Sequence, residues 1–153
     1  MSTIHLRNLE SSDKSDVFDL VQNPNVMKYL GPKRALNNSE ALAWFEAELE
    51  KPSRFVVAHS QTDELIGFCG VKSENGIFDF GYFLREKFWG KGEATKSCKL
   101  VLEAISCELD LSKLEIFIAN ENTGSQRVAE KLGWTKLNGY TKDNEDGYLY
   151  SVM

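Results

Sequence analysis

Between residues 54 and 84, three runs of strand-forming residues lie almost end to end: Phe55-Val56-Val57-Ala58, then Leu65-Ile66-Gly67-Phe68-Cys69-Gly70-Val71, then residues 76–84. Gln61-Thr62-Asp63-Glu64 supplies the first turn. Asn75-Gly76 supplies the second, because both residues of that dipeptide accept positive φ. The segment is therefore expected to fold as an antiparallel meander. Alternation along the third run puts Ile77, Asp79, Gly81 and Phe83 on one face and Phe78, Phe80, Tyr82 and Leu84 on the other. One face of that strand thus carries a charge.

The flanking segments change period. Residues 3–7 alternate as a half-buried strand, and Ser12 or Asp13 caps a helix with the apolar stripe Val17, Leu20 and Val21. Pro24 opens a break that runs to Pro32, and Ser39 precedes a helix of strong helix formers over residues 40–49, ended by Pro52. Beyond the meander, Ala94, Cys98, Val101, Leu102, Ile105 and Leu109 recur at helical spacing, predicting an amphipathic helix over residues 93–110 packed on the sheet. A strand over residues 114–118 follows. Gly124 or Ser125 then opens a shorter helix with Val128, Ala129 and Leu132, stopped by Gly133. Two last strands, residues 134–137 and 148–152, flank the polar loop Asp143-Asn144-Glu145-Asp146-Gly147. The 153 residues contain no linker or repeat and are expected to form a single domain, residues 1–153.

Composition excludes several functions. With 42% hydrophobic and 27% charged residues the chain is an ordinary folded one, and a net charge of −5 argues against nucleic-acid binding. No apolar run approaches the roughly 20 residues of a membrane span. The start Met1-Ser2-Thr3-Ile4-His5 lacks the blocks of a signal peptide, so a cytoplasmic protein without a membrane partner, monomer or homodimer, is expected. Cys69, Cys98 and Cys107 are odd in number and form no C-x-x-C pair. They are read as buried small apolar residues, with no disulfide framework and no metal.

The segment Phe88-Trp89-Gly90-Lys91-Gly92-Glu93-Ala94-Thr95 stands between a strand and the long helix. Small residues there let the backbone approach a ligand, and the free N–H groups of the first helical turn make an anion site suited to a pyrophosphate. Lys91 and Lys96 add charge. A merely tight strand-to-helix turn would read the same way. The dinucleotide fingerprint G-x-G-x-x-G fails because Thr95 stands at the third glycine and the preceding strands form a meander. The P-loop pattern fails for the same threonine, although Gly90, Lys96 and Ser97 keep its spacing.

The pattern that fits is the acyl-CoA turn Q/R-x-x-G-x-G/A of the GNAT superfamily of N-acetyltransferases. It stands here as Trp89-Gly90-Lys91-Gly92-Glu93-Ala94, with tryptophan in the first place. Gly81-Tyr82-Phe83-Leu84 ahead of the turn, and Asn122-x-x-Ser125 ahead of Glu130-Lys131-Leu132-Gly133-Trp134, resemble the branch containing ribosomal-protein N-terminal (alanine) acetyltransferases. The resemblance implies an α+β fold, a mixed and strongly bent sheet flanked by helices, with splayed central strands holding acetyl-CoA. It implies that backbone groups of Phe83 and Leu84 bind the pantetheine arm and that Trp89, Gly90, Lys91, Gly92, Glu93, Ala94 and Thr95 form the turn that holds the pyrophosphate. Asn122 would hydrogen-bond near the thioester, or merely cap the helix it precedes.

Acetyl transfer to an amine must remove a proton from an ammonium, stabilise an oxyanion and release a thiolate. Many family members carry a tyrosine seven residues after the asparagine, where this chain has Ala129. Ser125, at the acid position of the ribosomal-protein branch, inherits the role as a hydrogen-bonding acid, with a helix-terminal hydroxyl as the alternative. Asp79 is the candidate base, and Asp143, Glu145 and Asp146 form a second acidic group on a mobile loop. His5 and His59 lie remote in sequence from the cofactor motifs. Tyr29, Trp44 and Phe45 occupy the stretch where the family builds its acceptor pocket, or belong to the core. The acceptor is expected to be a primary amine, a peptide N-terminus ahead of a polyamine or other small amine. A non-catalytic acyl-CoA-binding module is the alternative from another class.

Overall fold

The computed structural model describes residues 3–74 and 77–153. The strands are β1 (Ile4–Arg7), β2 (Phe55–His59), β3 (Leu65–Glu74), β4 (Ile77–Leu84), β5 (Glu115–Ala119), β6 (Thr135–Lys142) and β7 (Glu145–Ser151). The helices are α1 (Lys14–Val21), α2 (Pro24–Met27), α3 (Asn38–Glu50), α4 (Glu93–Ile105) and α5 (Thr123–Leu132). They build a 7-stranded sheet in the order β1-β2-β3-β4-β5-β7-β6. The meander expected from the sequence is β2-β3-β4, antiparallel throughout. Its Asn75-Gly76 turn lies outside the described residues.

One junction breaks the antiparallel pattern. Strands β4 and β5 run parallel and share a single register pair, Asp79↔Glu115, so the five residues of β4 beyond Asp79 and the four of β5 beyond Glu115 diverge. The sheet opens there into a gap.

Each face of the sheet is sealed by its own helices. Helices α4 and α5 pack Cys98, Val101 and Val128 against Ile66, Phe80, Ile116 and Ile118, and the Trp134 ring stands edge-on to Phe80 at 5.8 Å. Helices α1 to α3 pack Val17, Leu20 and Phe45 against Val56, Ala58 and Phe68 on the other face. Burying a side chain of this size stabilises by about 1.5–3 kcal/mol, and Phe68, Phe80, Leu20 and Ile66 are all at most 1% exposed. The end of β4 is pinned by Arg85, whose Nε donates to Asp19 (2.9 Å) and whose second nitrogen donates to Glu64 (2.8 Å) and to the Leu65 carbonyl (2.9 Å).

Several boundaries differ from the sequence reading, each for a local reason. Asn37, not Ser39, caps α3: its side chain accepts from the Glu40 N–H while Glu40 accepts from the Asn37 N–H, a reciprocal box. Past Pro24 the chain makes one helical turn, since Asn23 caps it and proline suits a first helical position. Helix α4 stops at Ile105 rather than 110 because the Glu108 and Leu109 N–H groups both fold back on the Ile105 carbonyl. Asp143 and Asn144, with φ +49° and +67°, join β6 to β7 as a two-residue hairpin turn. Glu145, Asp146 and Gly147 are therefore strand residues and not loop. Cys69 and Cys98 are buried as expected, whereas Cys107 is exposed.

Candidate active site

The gap between β4 and β5 is the centre of a cavity of about 440 Å³, and its lining comes from both faces of the sheet. Asp79, Gly81 and Phe83 approach from the side of α1 to α3; Tyr82, Asn122 and Ser125 approach from the side of α4 and α5. A molecule on one face can therefore meet a molecule on the other through the sheet.

On the α5 side, Asn122 caps the helix, its Oδ1 accepting from the Ser125 N–H at 3.2 Å. The cap engages only the oxygen, which leaves the amide nitrogen of Asn122 as a donor toward the cavity. The Tyr82 hydroxyl donates to Ser125 Oγ at 2.8 Å. Burial pushes the Tyr82 phenol up from its ordinary value, above the effect of any neighbour, so the group stays an O–H donor. With its oxygen occupied in this way, Ser125 has its own proton to present. Ala129, where many relatives of this fold carry the phenol, is 1% exposed in the core. The phenol of this site comes from the sheet.

Backbone direction along β4 follows from its pairing. The Arg85 N–H donates to the Ile66 carbonyl, and a Cβ on Gly67 would come within 2.3 Å of the Phe83 carbonyl, so the odd residues turn their backbone toward β3. Tyr82 and Leu84 then turn theirs toward the gap. Phe83 meets the site through its ring. The Leu84 carbonyl accepts from the Trp89 indole at 2.9 Å, which ties the glycine turn to the end of β4.

That turn lies outside the cavity, on open surface. Gly90 and Gly92 have φ +75° and +76°, and a Cβ on either would touch nothing within 4 Å. No side chain caps α4 at Gly92, so the first-turn N–H groups of Glu93, Ala94 and Thr95 face outward without a side-chain acceptor. Lys91 and Lys96 are exposed beside it. The arrangement fits an anion. One Glu93 carboxylate oxygen is buried without a partner among the described residues, and Lys96 lies 3.8 Å from the other.

On the opposite face, Phe68 and Phe83 stack across β3 and β4 with centroids 5.4 Å apart, and Trp44 stands edge-on to both. Trp44 and Tyr29 line the cavity; Phe45 is in the core. Asp79 is not a free carboxylate, because Arg54 reaches it at 3.3 Å. Lys33 joins Glu145 at 2.7 Å and also donates to the Asp143 carbonyl, crossing from the α2–α3 loop to the β6–β7 turn. Asp146 instead accepts from Thr141. His5 pairs with Asp63 and His59 accepts from the Gln61 N–H, neither of them lining the cavity. Sequence reasoning missed Tyr82, Arg54 and Lys33. A tyrosine beside Gly81 was visible in the sequence, but nothing in the chain order announces that Arg54 and Asp79, 25 residues apart, meet.

Comparisons with known proteins agree with this geometry. Residues 3–135 match the family described as acetyltransferase (GNAT) domain. The chain is 29% identical over 163 positions to an uncharacterized N-acetyltransferase, p20, of Bacillus licheniformis, covering 97% of this chain and 91% of that one. An acetyltransferase structure of the GNAT family from Bacillus anthracis superposes with TM-score 0.85 at 22% identity, over 97% of this chain and 93% of the other. A spermidine N-acetyltransferase from Vibrio cholerae, in complex with CoA and spermine, superposes with TM-score 0.76 at 23% identity, over 98% and 95%. The parallel pair that parts after one register position, the uncapped glycine turn and the family match together make this chain a member of the GNAT family of acetyltransferases.

Proposed function

We propose that this chain, as one domain over residues 1–153, moves an acetyl group from acetyl-CoA to the α-amine of a peptide by direct attack in a ternary complex. The observation that carries this reading is the cavity lined from both faces of the sheet, which gives donor and acceptor separate entrances and one meeting place. The branch it resembles is that of the ribosomal-protein N-terminal acetyltransferases.

The cosubstrate supplies an activated thioester. Around it, Gly90 and Gly92 give backbone access, the α4 terminus with Lys91 and Lys96 holds the pyrophosphate, and the gap-facing edge at Tyr82 and Leu84 holds the pantetheine arm. Asn122 donates near the thioester. Ser125, oriented by Tyr82, donates to the departing sulfur, whose conjugate acid is comparable to cysteine at about 8.5. Asp79 takes the proton of the amine through water, since Arg54 occupies its carboxylate. An N-terminal amine of pKa about 7.7–8.0 is neutral in roughly one molecule in ten at pH 7, against about one in 2,500 for a lysine-like amine. That suits a site with no stronger base.

A polyamine is the second reading, because a structural relative is a spermidine acetyltransferase. A polycation needs unpaired carboxylates. Of the four carboxylates lining the cavity, Asp79 is held by Arg54 and Glu145 by Lys33, while Glu48, which accepts from Ser53, and Asp143 make no ion pair among the described residues and are the anchors such a substrate would use. The test compares kcat/KM at pH 7 for a peptide with a free N-terminus, the same peptide blocked but carrying lysine, and spermidine. A preference of tenfold or more for spermidine or the lysine side chain replaces the peptide reading with the second.

A further inference from the structure

Arg54 immediately precedes β2, and the register Phe55↔Cys69 sets it beside Gly70, which pairs in turn with Gly81. The two glycines leave bare backbone under its side chain. A Cβ on Gly81 would come within 2.9 Å of the guanidinium, and one on Gly70 within 3.4 Å of the Arg54 Cα. Arg54 therefore lies across three strands between the aromatic floor of Phe68, Phe83 and Trp44 and the charged pair Lys72↔Asp79. All of these residues line the cavity.

The guanidinium is under-satisfied. Its side chain is 14% exposed, its one hydrogen bond among the described residues is the 3.3 Å contact to Asp79, and its Nε is buried with no partner. A guanidinium has five N–H donors arranged to take a carboxylate with two parallel bonds. Burial lowers the pKa of Arg54, more than Asp79, Cys69 and Glu48 raise it. Lys72 and Lys142 line the same cavity and make no ion pair among the described residues.

We propose that Arg54 is the specificity residue of the acceptor side and binds a carboxylate carried by the acceptor itself. The proposal rests on the peptide reading and narrows it. Gly81, under the guanidinium, lies three residues before Leu84, whose backbone faces the gap, a separation of about 10 Å along the strand. A carboxylate several ångströms from the reacting amine fits that span, as on an acidic side chain at the first or second position of a peptide; the α-carboxylate of a free amino acid stands too close to its own amine. A buried site built for such a group rejects the analogue that lacks it, because its donors are then left unpaired.

The experiment measures kcat/KM on peptides that differ only in Glu or Gln at position one or two, with wild type, Arg54→Lys and Arg54→Gln. Wild type is expected to prefer Glu about 10-fold or more at one of the two positions. Arg54→Lys, which keeps the charge and loses the fork, should reduce the preference to about threefold, and Arg54→Gln should abolish it, the readout being the Glu-to-Gln ratio within each variant because the loss of Arg54 also frees the Asp79 carboxylate. Equal use of Glu and Gln peptides by an active wild type overturns the proposal and leaves the acetyltransferase reading standing. In parallel, the N-acetylated Glu and Gln peptides are titrated calorimetrically into wild type. Tighter binding of the Glu form, weakened in Arg54→Lys and lost in Arg54→Gln, supports the proposal even where no peptide is acetylated, an outcome that removes the peptide acceptor; equal binding overturns it. If Arg54→Gln fails to fold, the wild-type ratio and the lysine variant decide.

Discussion

On the α4 side of the gap the chain offers backbone, and on the α3 side it offers charged side chains, several of them paired with one another. The glycine turn has open space around both glycines and no side chain over the helix terminus. Opposite it, Arg54 and Asp79 are paired, Lys33 is paired with Glu145, and aromatic rings fill the floor. A backbone site needs only the right φ and no obstruction, so a short sequence pattern specifies it. A side-chain site needs residues brought together from β2, β4, the α2–α3 loop and the last hairpin. In the proposed function the first holds a group common to all substrates of the reaction, and the second sets which amine enters.

The largest effect is expected where the backbone site is blocked. Gly92→Glu places a side chain at φ +76°, which costs about 1–2 kcal/mol in local strain, and sets a carboxylate where an anion binds. Acetyl-CoA affinity should fall by about 100-fold or more in calorimetric titration, on a variant shown folded by circular dichroism. Affinity within threefold of wild type would remove the turn from the binding site.

A smaller loss is expected on the chemistry between the halves. Ser125→Ala should lower kcat by about 10- to 100-fold with little change in acetyl-CoA affinity. Tyr82→Phe should lower it by about 3- to 10-fold, acting through the serine, and the double variant should be no slower than Ser125→Ala alone. Additive losses would mean that the phenol acts on substrate by itself. The phenol is held protonated by burial, so its contribution is complete below the ordinary tyrosine value of about 10 and is lost only as pH rises through the raised one. The ratio of wild-type to Tyr82→Phe kcat should therefore stay flat from pH 7 to pH 10. Should Ser125→Ala instead keep kcat within twofold while the melting temperature falls, the hydroxyl is a structural one.

The contrast between the halves also explains what could be read in advance. The strands of the meander, the start of the amphipathic α4 and the Gly133 cap rest on short-range period and turn chemistry, and each appears where those signals lie, whereas α4 ends at Ile105, five residues short of its expected end. The parting of β4 and β5 was legible only through the family resemblance, since a single register pair leaves no periodic mark. Helix α3 was started two residues late because Ser39 and Asn37 are both good caps, and only the reciprocal bond to Glu40 distinguishes them. The last hairpin is longer than its sequence suggests: residues 143–147 read as a polar loop, while cross-strand pairing to Tyr140, Thr141 and Lys142 makes three of the five strand. Asp79 was found as a charge on a strand face, but its partner was not. A buried arginine gives no periodic signal, and its contact depends on two glycines, Gly70 and Gly81, that look like ordinary interruptions of strands.

The smallest expected effect tests whether the acceptor side is held shut by its own ion pairs. Lys33 sits at φ +62°, an uncommon conformation for a lysine, and spans from the α2–α3 loop to the hairpin turn, 110 residues away. With side-chain exposures of 28% and 26%, the Lys33–Glu145 pair is partly screened, and pairs of this kind contribute about 0–1 kcal/mol. Removing it in Lys33→Ala loosens two cavity walls without touching the α4 turn. The acceptor KM is expected to change by no more than about threefold, while acetyl-CoA affinity and kcat at saturating acceptor stay as in wild type. Raising the salt concentration should reproduce part of the change in wild type and none of it in the variant. A matching loss of acetyl-CoA affinity in Lys33→Ala would show that the two halves are coupled across the gap and that the division drawn between them is wrong.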